Sequence, residues 1–250
     1  MDWLAAPRSA AEFAALVAAY FFFLYWAFAL LCLLATRVVF PAVHLGRVLD
    51  TRRLRSHQRA AEIGGSMMTV AIFGIGSLTV WWGLRHGWLR VDTDASLARI
   101  VIEAGVLVLW NDAHFYACHW LLHRRALFER FHLRHHRSGV VTPFATYSFS
   151  PVEAALLGSV MPLAMLAWNF SVEALLFLPV YSLLINTIGH SNYDLFPARR
   201  IGQLSTFSRR HQMHHARFHG NYGFMLPWFD TLLRTRTTDL RPEAASGLQS

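Results

Sequence analysis

Hydrophobic and polar positions fall into long separate blocks along this 250-residue chain. Phe13 to Thr36 holds no charged side chain, and neither does Ile63 to Leu84. At about 1.5 Å of rise per residue, either run is long enough as a helix to cross the roughly 30 Å hydrocarbon core of a bilayer. The first is too long, and its amino-terminal flank too poor in positive charge, for a cleaved secretory signal, so a permanent anchor is expected. A third run, Ile100 to Leu122, starts apolar but carries Asn111, Asp112, His114 and His119 in its last half. Two more, Val152 to Trp168 and Val172 to Ile188, are split only by Asn169, Phe170 and Ser171. Pro162 and Pro179 inside them are expected to kink or interrupt the helices, giving a hairpin that dips through the bilayer and returns. The pattern predicts an all-α fold. It is an integral membrane helical bundle of about four spans, the last one or two forming the kinked hairpin, with a histidine-rich helical cap on the cytoplasmic side.

Composition agrees with a membrane protein: 54% of residues are hydrophobic, 15% are charged, and mean hydropathy is +0.32. The chain has no lysine, so arginines alone set the orientation. Arg37, Arg47, Arg52, Arg53, Arg55 and Arg59 follow the first span, whereas Arg85, Arg90 and Arg99 follow the second, offset by Asp92 and Asp94. Positive loops stay in the cytoplasm, which puts the histidine-rich segments, themselves flanked by arginines, on that side of an inner or cytoplasmic membrane. The net charge of +8 and pI near 10.3 fit anionic head groups and an acidic redox partner better than nucleic acid, for which no motif is present. Cys32 and Cys118 lie in separate spans and imply no disulfide framework.

Three histidine clusters carry the chemistry: His119 with His123, His132 with His135 and His136, and His211 with His214 and His215. Positions i, i+3 and i+4 share a helix face, so each cluster is expected to aim its imidazoles in one direction. Eight such histidines, with His190 at the end of a span as a candidate ninth, exceed what one ion at four to six ligands needs, and two metals are the natural count. Imidazole suits iron, copper, zinc and nickel alike. Asp112 shares a helix face with Tyr116, His119 and His123, where its carboxylate is a candidate acceptor for the second ring N–H of a ligand histidine. Glu153 is assigned to structure, because Ser150-Pro151-Val152-Glu153 fits a capping box with proline at the first helical position. His219 stands four residues after His215, but Gly220 signals that the helix is ending there. His44, His57 and His86 lie in loops among arginines.

The order of these boxes, Phe115-Tyr116 before the first, Gly189-His190-Ser191-Asn192 between the second and third, and Asn221-Tyr222-Gly223 after the third resemble the sterol desaturase and fatty acid hydroxylase superfamily over residues 100 to 235. Trp120 stands where that family usually has arginine, and Ser150 where it often has histidine; neither change removes a ligand. A further departure, Phe229-Asp230 followed by Leu233-Arg234-Thr235, touches only the carboxy-terminal turn. The resemblance implies two iron ions as cofactor with O₂ as co-substrate, His190 among the ligands, and a lipid taken from the bilayer: a sterol, hopanoid, carotenoid, fatty acyl chain or aminolipid. It implies hydroxylation or desaturation of an unactivated C–H bond. Residues 1–99 would then hold two membrane helices and their loops, 100–240 a fatty acid hydroxylase-like catalytic domain, and 241–250 a disordered tail. No haem, flavin or ferredoxin segment is recognisable in the chain, so electrons are expected from an external donor such as a ferredoxin, or a small haem protein with its reductase. Two other classes stay open at this point: a histidine-rich membrane metal transporter and a haem-binding electron carrier.

Overall fold

A computed structural model describes residues 9–197, 199 and 203–237; the tail expected over 241–250 lies outside them. The chain order is α1 (Ala10–Leu34), which runs on through a wide turn at Ala35–Val39 into α2 (Phe40–Ala42), then β1 (Arg47–Val48), α3 (Gln58–Arg85) and α4 (Leu97–Leu122). Short pieces α5 (Arg125–Leu127) and α6 (Leu133–His136) flank a π-helical turn at Phe128–His132. The hairpin is α7 (Pro151–Gly158), α8 (Val160–Ala167) and α9 (Val172–Gly189), followed by β2 (Tyr193–Asp194), α10 (Phe207–Arg217) and α11 (Trp228–Leu232).

Three stretches are long and apolar enough to cross a membrane: Ala10–Ala42, Gln58–Arg85 and Val172–Gly189. The chain is therefore a multi-pass membrane protein. The expected third span, α4, is 26 residues long but does not reach that apolarity, because Glu103, Asp112, His114 and His119 interrupt it. Phe22, Phe23, Leu30 and Leu31 of α1 and Ile75 of α3 are exposed, as suits side chains that meet lipid instead of water.

The hairpin breaks at a different place from the one its prolines suggest. The interruption falls between Gly158 and Val160, and Pro162 sits in the first turn of α8, where a backbone N–H has no intrahelical partner to lose. Pro179 lies inside an unbroken α9. At the far end from the histidines, Glu103 holds the α8–α9 turn to α4 by accepting from Ser171 N at 2.6 Å and Trp168 Nε1 at 3.1 Å.

In the bundle, α1 packs along α3 and crosses α9, while α4 packs along α9. One core cluster joins Tyr25, Val70 and Leu183 to Phe144, Tyr147 and Phe149 of the segment between the second histidine box and α7. That segment is almost wholly buried and holds only a short 3₁₀ turn at Pro143–Tyr147, so its polar groups need partners. Glu62 of α3 supplies them, accepting from Ser138 Oγ at 2.8 Å and Thr142 Oγ1 at 2.5 Å, while Tyr25 and Ser66 donate to the Phe144 carbonyl. On the same end β1 pairs antiparallel with β2, Arg47 opposite Asp194, and the Asn192 amide brackets Asp50 with two backbone bonds of 2.8 Å. This clip fixes the chain as it leaves His190.

Candidate metal centre

All nine predicted histidines converge, and they form two groups. His119, His123, His132, His136 and His214 each offer a ring nitrogen within 4.8 Å of the others, and His135, His190, His211 and His215 do the same. The boxes do not each aim one way. His132 and His136 serve the first group and His135 the second; His211 and His215 serve the second and His214 the first. The cause is helical geometry. At 3.6 residues per turn, i+4 lies about 40° to one side of i and i+3 about 60° to the other, so a helix laid over the gap between two centres gives i and i+4 to one and i+3 to the other.

Burial and hydrogen bonding prepare the rings. Eight of the nine are buried, all but His123, which is half-buried. Burial pushes the pKa of His132, His135, His136, His211, His214 and His215 well below the ordinary imidazole value, and neighbouring histidines push the same way. These rings are neutral, the form that binds metal. His119 Nδ1–H donates to the Tyr222 carbonyl at 2.7 Å, His190 to Asn186 at 2.9 Å and His214 to Gly220 at 2.7 Å. His132 Nδ1–H donates to Glu153 Oε1 at 2.8 Å. A neutral ring that spends its proton at Nδ1 keeps a lone pair at Nε2.

Three of those lone pairs each face the Nε2 of another ring. His132 and His214 Nε2 lie 3.2 and 3.1 Å from His136 Nε2, and His190 Nε2 lies 2.9 Å from His211 and 3.3 Å from His135. One proton per ring cannot bridge all of these approaches, whereas one cation at each centre satisfies every lone pair at once. The donor set therefore fits two metal ions held by imidazole nitrogen.

Two carboxylates exchange the roles their spacing suggests. Asp112 touches no histidine; its Oδ1 accepts from Met225 N and Leu226 N at 3.3 Å each, so it pins the strand of chain after the third box to α4. Glu153 forms the expected capping box with Ser150, and its other oxygen also accepts a hydrogen bond from His132 Nδ1–H. Local spacing could show the cap but not a partner 21 residues away. Asp230, expected to concern only the carboxy-terminal turn, does more: fully buried, it accepts from Tyr222 N and Gly223 N at 2.8 Å each and sets the carbonyl that holds His119. His219 is exposed and belongs to neither group.

An apolar cavity of about 410 Å³ runs through the bundle between α1, α3, α4, α7, α8 and α9. Its inner end is formed by Phe115, Phe149, Leu157 and Asn186, and these four also wall a space of about 10 Å³ that touches His119, His132, His135, His190 and His211. A larger groove of about 590 Å³, around Trp81, Trp82 and Trp88, lies at the opposite end and touches no histidine.

Comparison with known proteins points the same way. The chain is 29% identical over 162 residues to a very-long-chain aldehyde decarbonylase of Oryza sativa subsp. indica, 27% over 173 residues to a lathosterol oxidase of Homo sapiens, and 24% over 214 residues to a Delta(7)-sterol 5(6)-desaturase of Aspergillus fumigatus. These matches cover 60%, 67% and 83% of this chain. They cover 26%, 54% and 62% of the relatives, so the chain spans between a quarter and two thirds of their length. No solved structure matches it. The sequence model described as fatty acid hydroxylase matches residues 104–235, more than half of the chain and the stretch that carries all nine histidines. This chain belongs to the fatty acid hydroxylase family.

Proposed function

We propose that the protein is a membrane-bound oxygenase that uses O₂ and external electrons to hydroxylate or desaturate an unactivated C–H bond of a lipid. The observation that carries this reading is a lipid-sized apolar cavity whose inner wall is also the wall of a two-centre imidazole cluster. A cavity of this volume falls within the roughly 300–1,000 Å³ typical of small-molecule sites. One iron ion would be held by His119, His123, His132, His136 and His214, the other by His135, His190, His211 and His215. Iron is the family's metal, and bound there the pair would supply O₂ activation and removal of hydrogen from carbon.

The remaining work falls to the chain's own residues. Glu153 and the carbonyls of Tyr222, Asn186 and Gly220 hold the Nδ1 protons of four rings, fixing tautomer and orientation. Phe115, Phe149 and Leu157 keep bulk water from the reacting carbon. The lipid reaches the centre from the bilayer through the cavity.

The segment from Arg37 to Arg59, with its six arginines, lies on the histidine side of the bundle, since the Asn192 amide and Gln212 both reach Asp50. With the exposed Arg124, Arg125, Arg130, Arg134 and Arg137 around the second box, this favours a cytoplasmic active site and an acidic electron carrier docked beside it. A haem carrier fits poorly, because about 10 Å³ against the histidines leaves no room for a macrocycle.

Metal analysis and an optical spectrum of the purified protein, with lipid profiles of cells with and without the gene, test the proposal. Two irons per chain, no haem band and a lipid differing by a hydroxyl or a double bond are expected. A haem spectrum, or unchanged lipids with a metal-free protein, would overturn it.

A further inference from the structure

A polar patch on the cavity wall takes no part in the histidine centre. The lining is mostly aliphatic and aromatic, yet α4 contributes Asn111 and His114 to it, and the break between α7 and α8 contributes Ser159. Asn111 and His114 are three residues apart on one helix face. They precede His119 by eight and five residues, so they lie about 12 and 7.5 Å from it along the helix axis, toward the other end of the cavity.

The patch keeps polar atoms that its own hydrogen bonds do not use. Ser159 Oγ–H donates to the Leu156 carbonyl at 2.7 Å, so the same oxygen accepts from His114 Nε2–H at 3.1 Å. A neutral ring protonated at Nε2 keeps a lone pair at Nδ1, and the nearest partner there is the Cys118 sulfur at 3.9 Å, a weak one. The Asn111 carboxamide makes no hydrogen bond to any described residue. By contrast, Ser77 and Thr79 on the same wall donate to carbonyls of their own helix at 2.7 and 2.8 Å. Polar groups in an apolar site inside a membrane bundle are costly without partners. A contact between helices accounts for the Ser159–His114 pair but not for the free amide beside it.

We propose that Asn111 and His114 bind a hydroxyl group of the lipid, the hydroxyl donating to His114 Nδ1 and accepting from Asn111 Nδ2, and so select the carbon that reaches the histidines. Resting on the oxygenase reading above, this names the substrate class as an alcohol-bearing lipid. Its hydroxyl lies roughly 7 to 12 Å from the oxidised carbon. A carbonyl would leave Nδ1 unpartnered.

The test is binding of matched probes to the purified protein in nanodiscs: hexadecanol against hexadecane, and cholestanol against cholestane, by displacement of the radiolabelled alcohol or hydrocarbon. Probe partitioning into the lipid cancels when wild type and variant are compared. In at least one pair, Asn111→Leu and His114→Phe should each lower the alcohol-to-hydrocarbon affinity ratio by about tenfold while hydrocarbon affinity stays within about twofold. If His114→Phe fails to insert, Asn111→Leu decides alone. The same ratio in wild type and variants for both pairs, including no measurable binding of either alcohol, overturns the proposal. Metal content and lipid product, read on the same preparation, are independent of that ratio. Their loss in wild type would sink the oxygenase reading, whereas intact metal with an unchanged ratio would sink only the hydroxyl site.

Discussion

At the scale of the residue, the histidines were legible because their spacing is local, while their supports were not because these come from distant segments. His135 and His214 are each the lone i+3 member their box sends to the opposite centre. Replacing either with alanine should lower bound metal and abolish turnover while leaving the protein in the membrane, since insertion depends on apolar spans elsewhere in the chain. Metal analysis and membrane fractionation read both halves of that statement; a variant that keeps metal and turnover would remove its histidine from the site. Glu153→Gln leaves one acceptor oxygen where two now serve, one for His132 Nδ1–H and one for Ser150 N, so one of those bonds is lost, and a loss of about 10 to 100-fold in metal affinity or activity is expected. Asp112→Asn keeps an oxygen for the Met225 and Leu226 amides and should retain near wild-type metal. A reversed ranking of these two variants would return Asp112 to the role its helical spacing suggested.

Elements were legible as long apolar runs, and their junctions were not. Pro162 pointed to a break in the hairpin, but the break precedes it because a proline is tolerated within a first turn. The two-to-one division of the second and of the third box between two centres depends on where each short helix lies, which no periodicity in one segment encodes. Gly189 shows how tightly α9 is docked: a Cβ there would collide with the Phe224 ring, and Phe224 packs on His211 at 4.6 Å between centroids and stacks near His190. Gly189→Ala should therefore destabilise by about 1 to 3 kcal/mol through overpacking. It should also loosen the four-histidine centre before the five-histidine one, seen as bound metal falling from two per chain toward one. Full metal and an unchanged melting temperature would mean that Phe224 moves aside freely and does not set the position of His190 and His211.

For the whole molecule, hydropathy fixed the helical membrane class, while the distribution of arginine carries the orientation. Six arginines follow the first span and three follow the second, and the first set shares an end of the bundle with the histidine boxes. The insertion machinery retains arginine-rich loops in the cytoplasm, and a cytoplasmic donor can reach the centre only on that side. Single cysteines test this after Cys32 and Cys118 are replaced. Ser56 and Ser205 are exposed on the histidine side and Thr93 is exposed on the other; Ser138, though near the second box, is buried against Glu62 and would report burial instead of sidedness. In intact cells, cysteines at Ser56 and Ser205 should resist a membrane-impermeant thiol reagent and react after permeabilisation, and one at Thr93 should react at once. Reaction of the Ser56 and Ser205 sites in intact cells, with Thr93 protected, would place the centre outside. Arginine content would then not set the orientation of this bundle, and a cytoplasmic electron carrier could not reach the centre.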